Sequence, residues 1–178
     1  MSLADVVQGD PASCSALGGA LRRRAAALHE RRTALRNSIS GLMGWTGPMA
    51  DALAERLTLQ LREVEQMASR LDDVGAALQA YATDLAHARQ QGDLAADAAA
   101  RGGLQIDDDG AVQPLPGLAS VEAAGRRRAA VPQVQHQVDG ARGEARAAAQ
   151  RLRSRTSSSL QALRSDAGRL AALDHPAR

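Results

Sequence analysis

The stretch SGLMGWTGPMAD, residues 40–51, contains the only tryptophan of the chain, Trp45, with glycines on both sides and Pro48 shortly after it. Glycine commonly ends a helix, and proline is well tolerated at the first position of a new one. Asp51 follows in the next turn, where an acidic group interacts favourably with the helix dipole. The stretch therefore predicts a break between two helices, with a tight turn at its centre.

Before this break, apolar residues recur at coiled-coil spacing, which predicts a first helix over 11–43. Asp10 and Pro11 are typical of a helix start, because the carboxylate can accept hydrogen bonds from free backbone N–H groups. Gly18, Ala25 and Ile39 form a second, interleaved series that Arg32 alone interrupts, and its long stem can follow apolar surface while the guanidinium reaches water or a carboxylate. The seven-residue series is Cys14, Leu21, Leu28, Leu35 and Leu42.

After the break, two such series predict a second helix over 48–101, about 80 Å long at ~1.5 Å per residue. A helix of this length requires another helix along its side. The second series, Leu53, Met67, Val74, Tyr81 and Ala88, is interrupted only by Gln60. From the two series we predict an apolar seam that receives a partner helix, consisting of Leu57, Val64, Leu71, Val74, Leu78 and Leu85.

The rest of the chain predicts a short β-hairpin-like loop and a third helix. Residues 103–116 alternate apolar and polar side chains around Asp109-Gly110, a dipeptide typical of hairpin turns. From residue 118 the chain is rich in Ala and Arg, and Pro132 is expected to start or kink the helix. The stretch SRTSSSL, residues 154–160, has low helix propensity and is expected to fray, and the final DHPAR is expected to be disordered.

We therefore predict an all-α fold, an elongated helical hairpin or bundle of three long helices with a short β-hairpin-like loop. We expect one domain, in which residues 1–117 form the hairpin and loop and residues 118–178 pack back as the third helix. Composition supports this class, because the 178 residues include no Phe, one Trp and one Tyr. Burial must then come from aliphatic side chains, which suit closely packed helices.

Charge and hydropathy disfavour several classes of function. The net charge is only +2, and no continuous basic face with aromatic platforms is visible, so we expect no nucleic-acid binding. No run approaches the ~18 apolar residues of a membrane span, so we expect no stable membrane insertion. The N-terminus lacks the basic start and apolar core of a signal peptide.

The sequence also predicts no enzyme, with no catalytic residue, no cofactor and no metal site. Residues 107–110 resemble part of a calcium loop, but the spaced ligands and the closing glutamate are missing. The four histidines lack metal-ligand spacing, and neither a nucleophile elbow nor a phosphate-binding glycine loop is present. Cys14 lies in the heptad series, where it is interpreted as a small buried apolar group.

The segment Gly44-Trp45-Thr46-Gly47 between two amphipathic helices resembles the hairpin of the WXG-motif family, the small helical proteins of type VII (ESX) secretion. Residues 9–117 resemble more closely the N-terminal delivery domains of larger actinobacterial type VII substrates, through GDPAS, GWTGPMADAL and GLQIDDDGAVQPLPG. The family often carries a Tyr-x-x-x-Asp/Glu export signal near the end of its second helix. Here Tyr81 is followed by Asp84 at three residues and by Leu85 at four, which departs from that pattern.

This resemblance implies a protein that delivers itself or an associated effector to a type VII apparatus, with Trp45, Gly47, Tyr81 and Asp84 as recognition residues. The implied partners are a helical WXG-type protein or a second copy, and the secretion ATPase. The implied location is cytoplasmic before export, and secreted or at the cell surface afterwards. The residues alone favour a second interpretation of the tryptophan ring, as an apolar plug over the hairpin end. Two other interpretations stay open: a cytoplasmic coiled-coil adaptor, and the N-terminal part of a larger secreted toxin.

Overall fold

The computed structural model describes residues 7–40, 44, 46–117 and 120–174, with side chains described as far as residue 166 in the last helix. Along the chain lie α1 (Pro11–Ser40), α2 (Pro48–Gly102), β1 (Leu104–Ile106), β2 (Val112–Pro114) and α3 (Val121–Asp174). The predicted all-α fold, with three long helices and a short β-hairpin, is confirmed. The described residues form two compact units, which we call the hairpin unit (Cys14–Gln79 and Leu152–Arg178) and the β unit (Met1–Ser13 and Ala80–Arg151).

Helix α1 begins where Asp10 and Pro11 predicted. The Asp10 carboxylate accepts hydrogen bonds from the backbone N–H of Ala12 at 3.0 Å and of Ser13 at 3.1 Å, and from the Ser13 hydroxyl. These donors, the Ser13 hydroxyl first among them, favour the charged carboxylate and lower the pKa of Asp10 below its ordinary value. The cap thus satisfies backbone N–H groups that have no partner inside the helix.

Helices α1 and α2 run antiparallel within the hairpin unit. The Arg22 side chain lies 3.1 Å from the Asp72 carboxylate, and that of Arg32 lies 2.7 Å from Glu65, so residue numbers fall along α2 as they rise along α1. The chain therefore reverses direction between Ser40 and Pro48, as the sequence predicted.

A pair of glycines brings the two backbones into close approach. A Cβ atom on Gly18 would lie 2.7 Å from the carbonyl oxygen of Gly75, and one on Gly75 would lie 2.8 Å from that of Gly18. These distances are too short for any side chain, so both positions require glycine. Ala25 and Ala68, almost completely buried, extend this contact with small side chains.

The β unit has an apolar core, in which the largest fully buried side chains are Leu85 and Val138. The hairpin strands pair antiparallel with Leu104 opposite Pro114, and Leu104 and Val112 are buried in the core while Leu115 is exposed. The other buried residues of the core are Val7, Ala88, Ala95, Ala99, Val134 and Ala141.

The amide of Gln135 attaches the hairpin to α3 inside this unit. Its oxygen accepts a hydrogen bond from the backbone N–H of Val112 at 2.8 Å, and its nitrogen donates to the carbonyl of Gly110 at 3.0 Å. Arg142 also donates to the carbonyl oxygens of Asp108 and Asp109. An isolated two-stranded hairpin is marginal in water, so these bonds and the buried leucine and valine hold it in place.

Helix α3 is more continuous than the sequence indicated. It begins at Val121 and passes through Pro132, so it does not start at the proline, and the kink expected there as the alternative stays a prediction. Burial of Val134 and Val138 just beyond the proline explains this, because tertiary packing compensates for one lost backbone bond. The stretch 154–160, expected to fray, is helical, and the buried Thr156 hydroxyl donates to the Leu152 carbonyl at 2.8 Å. The expected disorder of the chain end falls on residues 175–178, which lie outside the described residues.

Candidate partner-binding surface

The apolar seam of the hairpin differs between its two ends. We call residues 14–25 and 68–79 the bend-distal half, and residues 26–40 and 48–67 the bend-proximal half. The bend-distal half contains six buried residues, all small or medium in size. They are Gly18, Ala25, Ala68, Val74, Gly75 and Ala77.

In the bend-proximal half, no described residue is buried. Met49 is 77% exposed and Leu59 is 53% exposed, and Leu35 and Leu53 are also exposed. The remaining large apolar residues of this half are only half-buried, namely Leu28, Ile39, Leu57, Leu61, Val64 and Met67. The heptad pattern of this half, interrupted only by Arg32 and Gln60, therefore lies on a part of the hairpin where water still reaches the seam.

Two of the six predicted seam residues are buried by the chain's own packing, and four are only half-buried. Val74 is buried in the hairpin unit, and Leu85 is buried in the β unit, where it lies against Gly9. The other four are half-buried, and of these Leu57 and Val64 belong to the bend-proximal half while Leu71 and Leu78 belong to the bend-distal half. Leu57 and Val64 are thus the seam residues best placed for a partner helix.

The turn between α1 and α2 includes Gly47, one of the predicted recognition residues. Its φ angle is +124°, a backbone conformation that side-chain-bearing residues rarely adopt, and its carbonyl accepts the Asp51 N–H at 3.1 Å at the start of α2. No described atom would contact a Cβ there, so backbone conformation rather than crowding favours glycine. Trp45, the central residue of the predicted motif, lies outside the described residues.

Tyr81 and Asp84, the predicted export-signal pair, both lie in the β unit on α2. Tyr81 is half-buried and packs against the apolar core of that unit. The Asp84 carboxylate accepts a hydrogen bond from the Arg151 guanidinium at 2.9 Å, and both side chains of this ion pair are about half exposed. Packing against the core thus explains the position of the Tyr81 ring. A binding partner could contact the Asp84 carboxylate only in competition with Arg151.

Arg32, which interrupts the heptad series, reaches a carboxylate as the sequence allowed. Its Nε lies 2.7 Å from Oε2 of Glu65, and both atoms are shielded from water. The contact lacks hydrogen-bond geometry in spite of the short distance, so it is an ion pair. Nδ1 of His29 lies 3.7 Å from the same oxygen. The negative charge of Glu65 thus offsets the positive charge that Arg32 places in the apolar seam.

The two helical segments of the bend-proximal half carry net charges of opposite sign. Its α1 segment has three arginines and one glutamate, and its α2 segment has four acidic residues and two arginines. The net charges are therefore +2 and −2. Eight exposed members form no ion pair with another described residue, and they include both signs on each helix. They are Glu30, Arg31, Arg36, Asp51, Glu55, Arg56, Arg62 and Glu63.

Within the part of the chain that the structure describes, no group of three or more His, Cys, Asp or Glu side chains is placed to hold a metal ion. None of the described helices is apolar over a length sufficient to cross a membrane. No protein-family model, curated protein or solved structure matches the chain. A function must therefore be argued from the surface itself.

Proposed function

We propose that this protein is a non-enzymatic binding module whose bend-proximal half pairs with another helical protein. The observation that supports this most directly is the contrast along one pair of helices. The same heptad spacing that is buried in the bend-distal half is accessible to water in the bend-proximal half. A helix laid along that half would bury the exposed leucines and complete the packing that coiled-coil seams require.

We extend the proposal to delivery through a type VII secretion system, for the protein itself or for an associated effector. Two features support this route. The chain reverses direction between Ser40 and Pro48, the part of the sequence that contains the Trp-Thr-Gly segment, and Gly47 has a backbone conformation that favours glycine. The extension depends on the family resemblance, whereas the binding proposal depends only on the surface. Separate experiments can therefore test them.

The binding proposal is tested with a pair of matched variants. Leu53 and Leu94 are both exposed, by 37% and 53%, but only Leu53 lies in the bend-proximal half and in its heptad series. Leu53→Asp should weaken co-purification with helical proteins encoded by neighbouring genes, or self-association, about tenfold or more, because a charge would enter an apolar contact. Leu94→Asp should leave binding unchanged. Equal behaviour of the two variants would contradict the proposed surface.

The export route is tested by fractionating cells that carry the tagged protein, with and without the secretion ATPase. Extracellular protein should depend on the ATPase, and Trp45→Ala should reduce it. Asp84→Asn should reduce export while changing stability by less than about 1 kcal/mol, because the Arg151 pair is solvent-exposed. Equal extracellular amounts in both strains would refute this route and favour a cytoplasmic adaptor, leaving the binding proposal intact.

A further inference from the structure

A second surface of the hairpin unit carries charge of one sign. Residues 14–25 of α1 and residues 152–165 of α3 contain six arginines and no acidic residue. One of the six, Arg22, pairs with Asp72, and the other five are exposed and form no ion pair with another described residue. These five are Arg23, Arg24, Arg153, Arg155 and Arg164. Unlike the bend-proximal half, these two helical segments therefore attract anionic groups.

Two exposed leucines lie among these arginines at the same level of the hairpin unit. Leu17 is 54% exposed and Leu160 is 39% exposed. Gly18 lies against Gly75, so Leu17, one residue earlier in α1, is level with about residue 76 of the antiparallel α2. Helix α3 also runs antiparallel to α2, and the ion pairs that show this are His87–Glu144, Asp84–Arg151 and Arg70–Asp166. Leu160 precedes Asp166 by six residues, so it too is level with about residue 76 of α2.

The side of α3 that carries Leu160 also carries two of the arginines. At about 100° per residue, Arg153 and Arg164 lie within about 40° of Leu160 around the helix axis. All three point well away from Asp166, which contacts α2. Arg155 lies on the other side of the helix, within about 20° of Asp166. Leu160, Arg153 and Arg164 therefore share a side of α3 that is turned away from α2.

Helix α1 has a corresponding stripe, formed by Leu17 and Arg24. These two residues lie about 20° apart around the helix axis, on the same side as Leu21. Leu21 is half-buried, so this side of α1 is covered in part by the rest of the hairpin unit. Arg23 lies on the opposite side, about 160° from Leu21, and is exposed.

We propose that these two stripes form one docking surface, which takes an acidic amphipathic helix of a partner protein. The surface consists of Leu17 and Arg24 of α1 with Arg153, Leu160 and Arg164 of α3, and we call it the basic face. It is separate from the bend-proximal half, so the proposal goes beyond the function proposed above. Asp73, an exposed carboxylate of α2, points about 160° away from Gly75, the residue through which α2 contacts α1, and so lies away from the basic face.

The mixture of leucine and arginine on one face favours this class of partner. An acidic amphipathic helix offers apolar side chains to Leu17 and Leu160, and it offers carboxylates to the guanidinium groups beside them, which bind carboxylates in bidentate geometry. A helix that lies on a bilayer keeps its apolar and basic side chains on separate faces, unlike the stripes described here. A nucleic acid would pair with the arginines but leave both leucines without an apolar contact, and the basic face has no aromatic side chain for stacking.

The test measures the binding of a fluorescent synthetic helix to the full chain by fluorescence anisotropy. The probe is a peptide of about 20 residues made of Ala, Leu and Glu, with leucines along one face and glutamates on both flanks of that face. It should bind about fivefold or more tightly than the same peptide with Gln in place of each Glu, because only carboxylates form ion pairs with the arginines. Raising the salt concentration should weaken this binding.

A matched pair of double variants locates the site on the basic face. Arg24→Gln with Arg164→Gln should weaken binding of the acidic peptide about fivefold or more, because two ion pairs are lost. Arg23→Gln with Arg155→Gln removes the same charge from the other sides of the same two helices and should leave binding unchanged. Circular dichroism should show that both variants keep their helices.

The apolar part of the basic face has its own matched pair. Leu17→Gln should weaken binding of the acidic peptide about fivefold or more, because an apolar contact is lost. Leu94→Gln changes a side chain of nearly equal exposure, 53%, in the β unit and should leave binding unchanged. Leu53→Asp, in the bend-proximal half, should also leave it unchanged, so failure of the proposed function and failure of the basic face can be told apart.

Two results would overturn the proposal. One is equal binding of the acidic peptide and its Gln counterpart, or equal binding of the acidic peptide by the two double variants. The other is tighter binding of the chain to duplex DNA, or to vesicles of phosphatidylglycerol and phosphatidylcholine in equal parts, that is lost with Arg24 and Arg164. That result would assign the basic face to a nucleic acid or a membrane instead of a protein.

Discussion

The two halves of the α1–α2 hairpin share one heptad pattern and differ in how well it is buried. The bend-distal half has glycine and alanine at its contact positions, and the backbones approach until Gly18 and Gly75 almost touch. The bend-proximal half has larger residues, none of which is buried. Heptad spacing therefore identifies which face is apolar, whereas side-chain size helps decide whether two helices can bury that face by themselves.

The largest change in the free energy of unfolding is expected between two leucines of α2, one buried and one exposed. Leu85→Ala should lower the free energy of unfolding by about 2–5 kcal/mol, because the side chain is 1% exposed and its loss leaves a cavity. Leu59→Ala removes the same atoms from a side chain largely in water and should cost about 0.5 kcal/mol or less. Urea unfolding at high dilution, followed by circular dichroism, measures both. Equal losses would mean that the chain itself buries Leu59.

A smaller loss of stability is expected from the glycine contact of the bend-distal half, where the two backbones approach closely. Gly75→Ala should lower the free energy of unfolding by about 1–3 kcal/mol, because the new Cβ meets a carbonyl oxygen that cannot move without the helix. Gly143→Ala in α3 is the matched control, since no atom lies within 4 Å of its Cβ position. It should raise stability by about 0.5–1 kcal/mol through helix propensity alone. Thermal melts that shift in the same direction for both variants would contradict the packing argument.

The smallest change in stability is expected at Asp10, which caps the end of α1 farthest from the bend. Because hydrogen bonds lower the pKa of Asp10, its carboxylate stabilises the folded chain above about pH 4, its ordinary titration range, and this contribution disappears as the pH falls through the lowered pKa. Asp10→Asn keeps an oxygen acceptor but cannot titrate in this range. Urea unfolding between about pH 2 and pH 6 should show the two proteins converging in stability at low pH. A stability difference that stays constant with pH would contradict the assigned role.

Local signals in the sequence were sufficient to predict the order of the helices and the starts of α1 and α2. Asp10-Pro11 marks the start of α1, Pro48 marks the start of α2, and residues around Asp109-Gly110 form the expected β-hairpin. The alternative that α3 starts at Pro132 is wrong, because a local rule about backbone bonds takes no account of buried neighbours such as Val134. Tertiary packing decides such cases, and one sequence does not display it.

The candidate surface was predictable in part. Heptad spacing identified Leu57 and Val64, and it equally identified Val74 and Leu85, which the chain buries for itself. The missing information was the position of Gly75, whose role appears only when the opposite backbone is in view. The charge separation was readable from the sequence as a count of Arg against Asp and Glu in each segment, once the segments were defined by their burial.

The glycine contact also has a consequence for how this protein can diverge among its descendants. Gly18 and Gly75 fix the alignment of α1 and α2 at one place, because a shift along either helix would push a side chain into the opposite backbone. The residues nearer the bend carry no such constraint. Substitutions among them are therefore expected to leave the alignment of α1 and α2 unchanged.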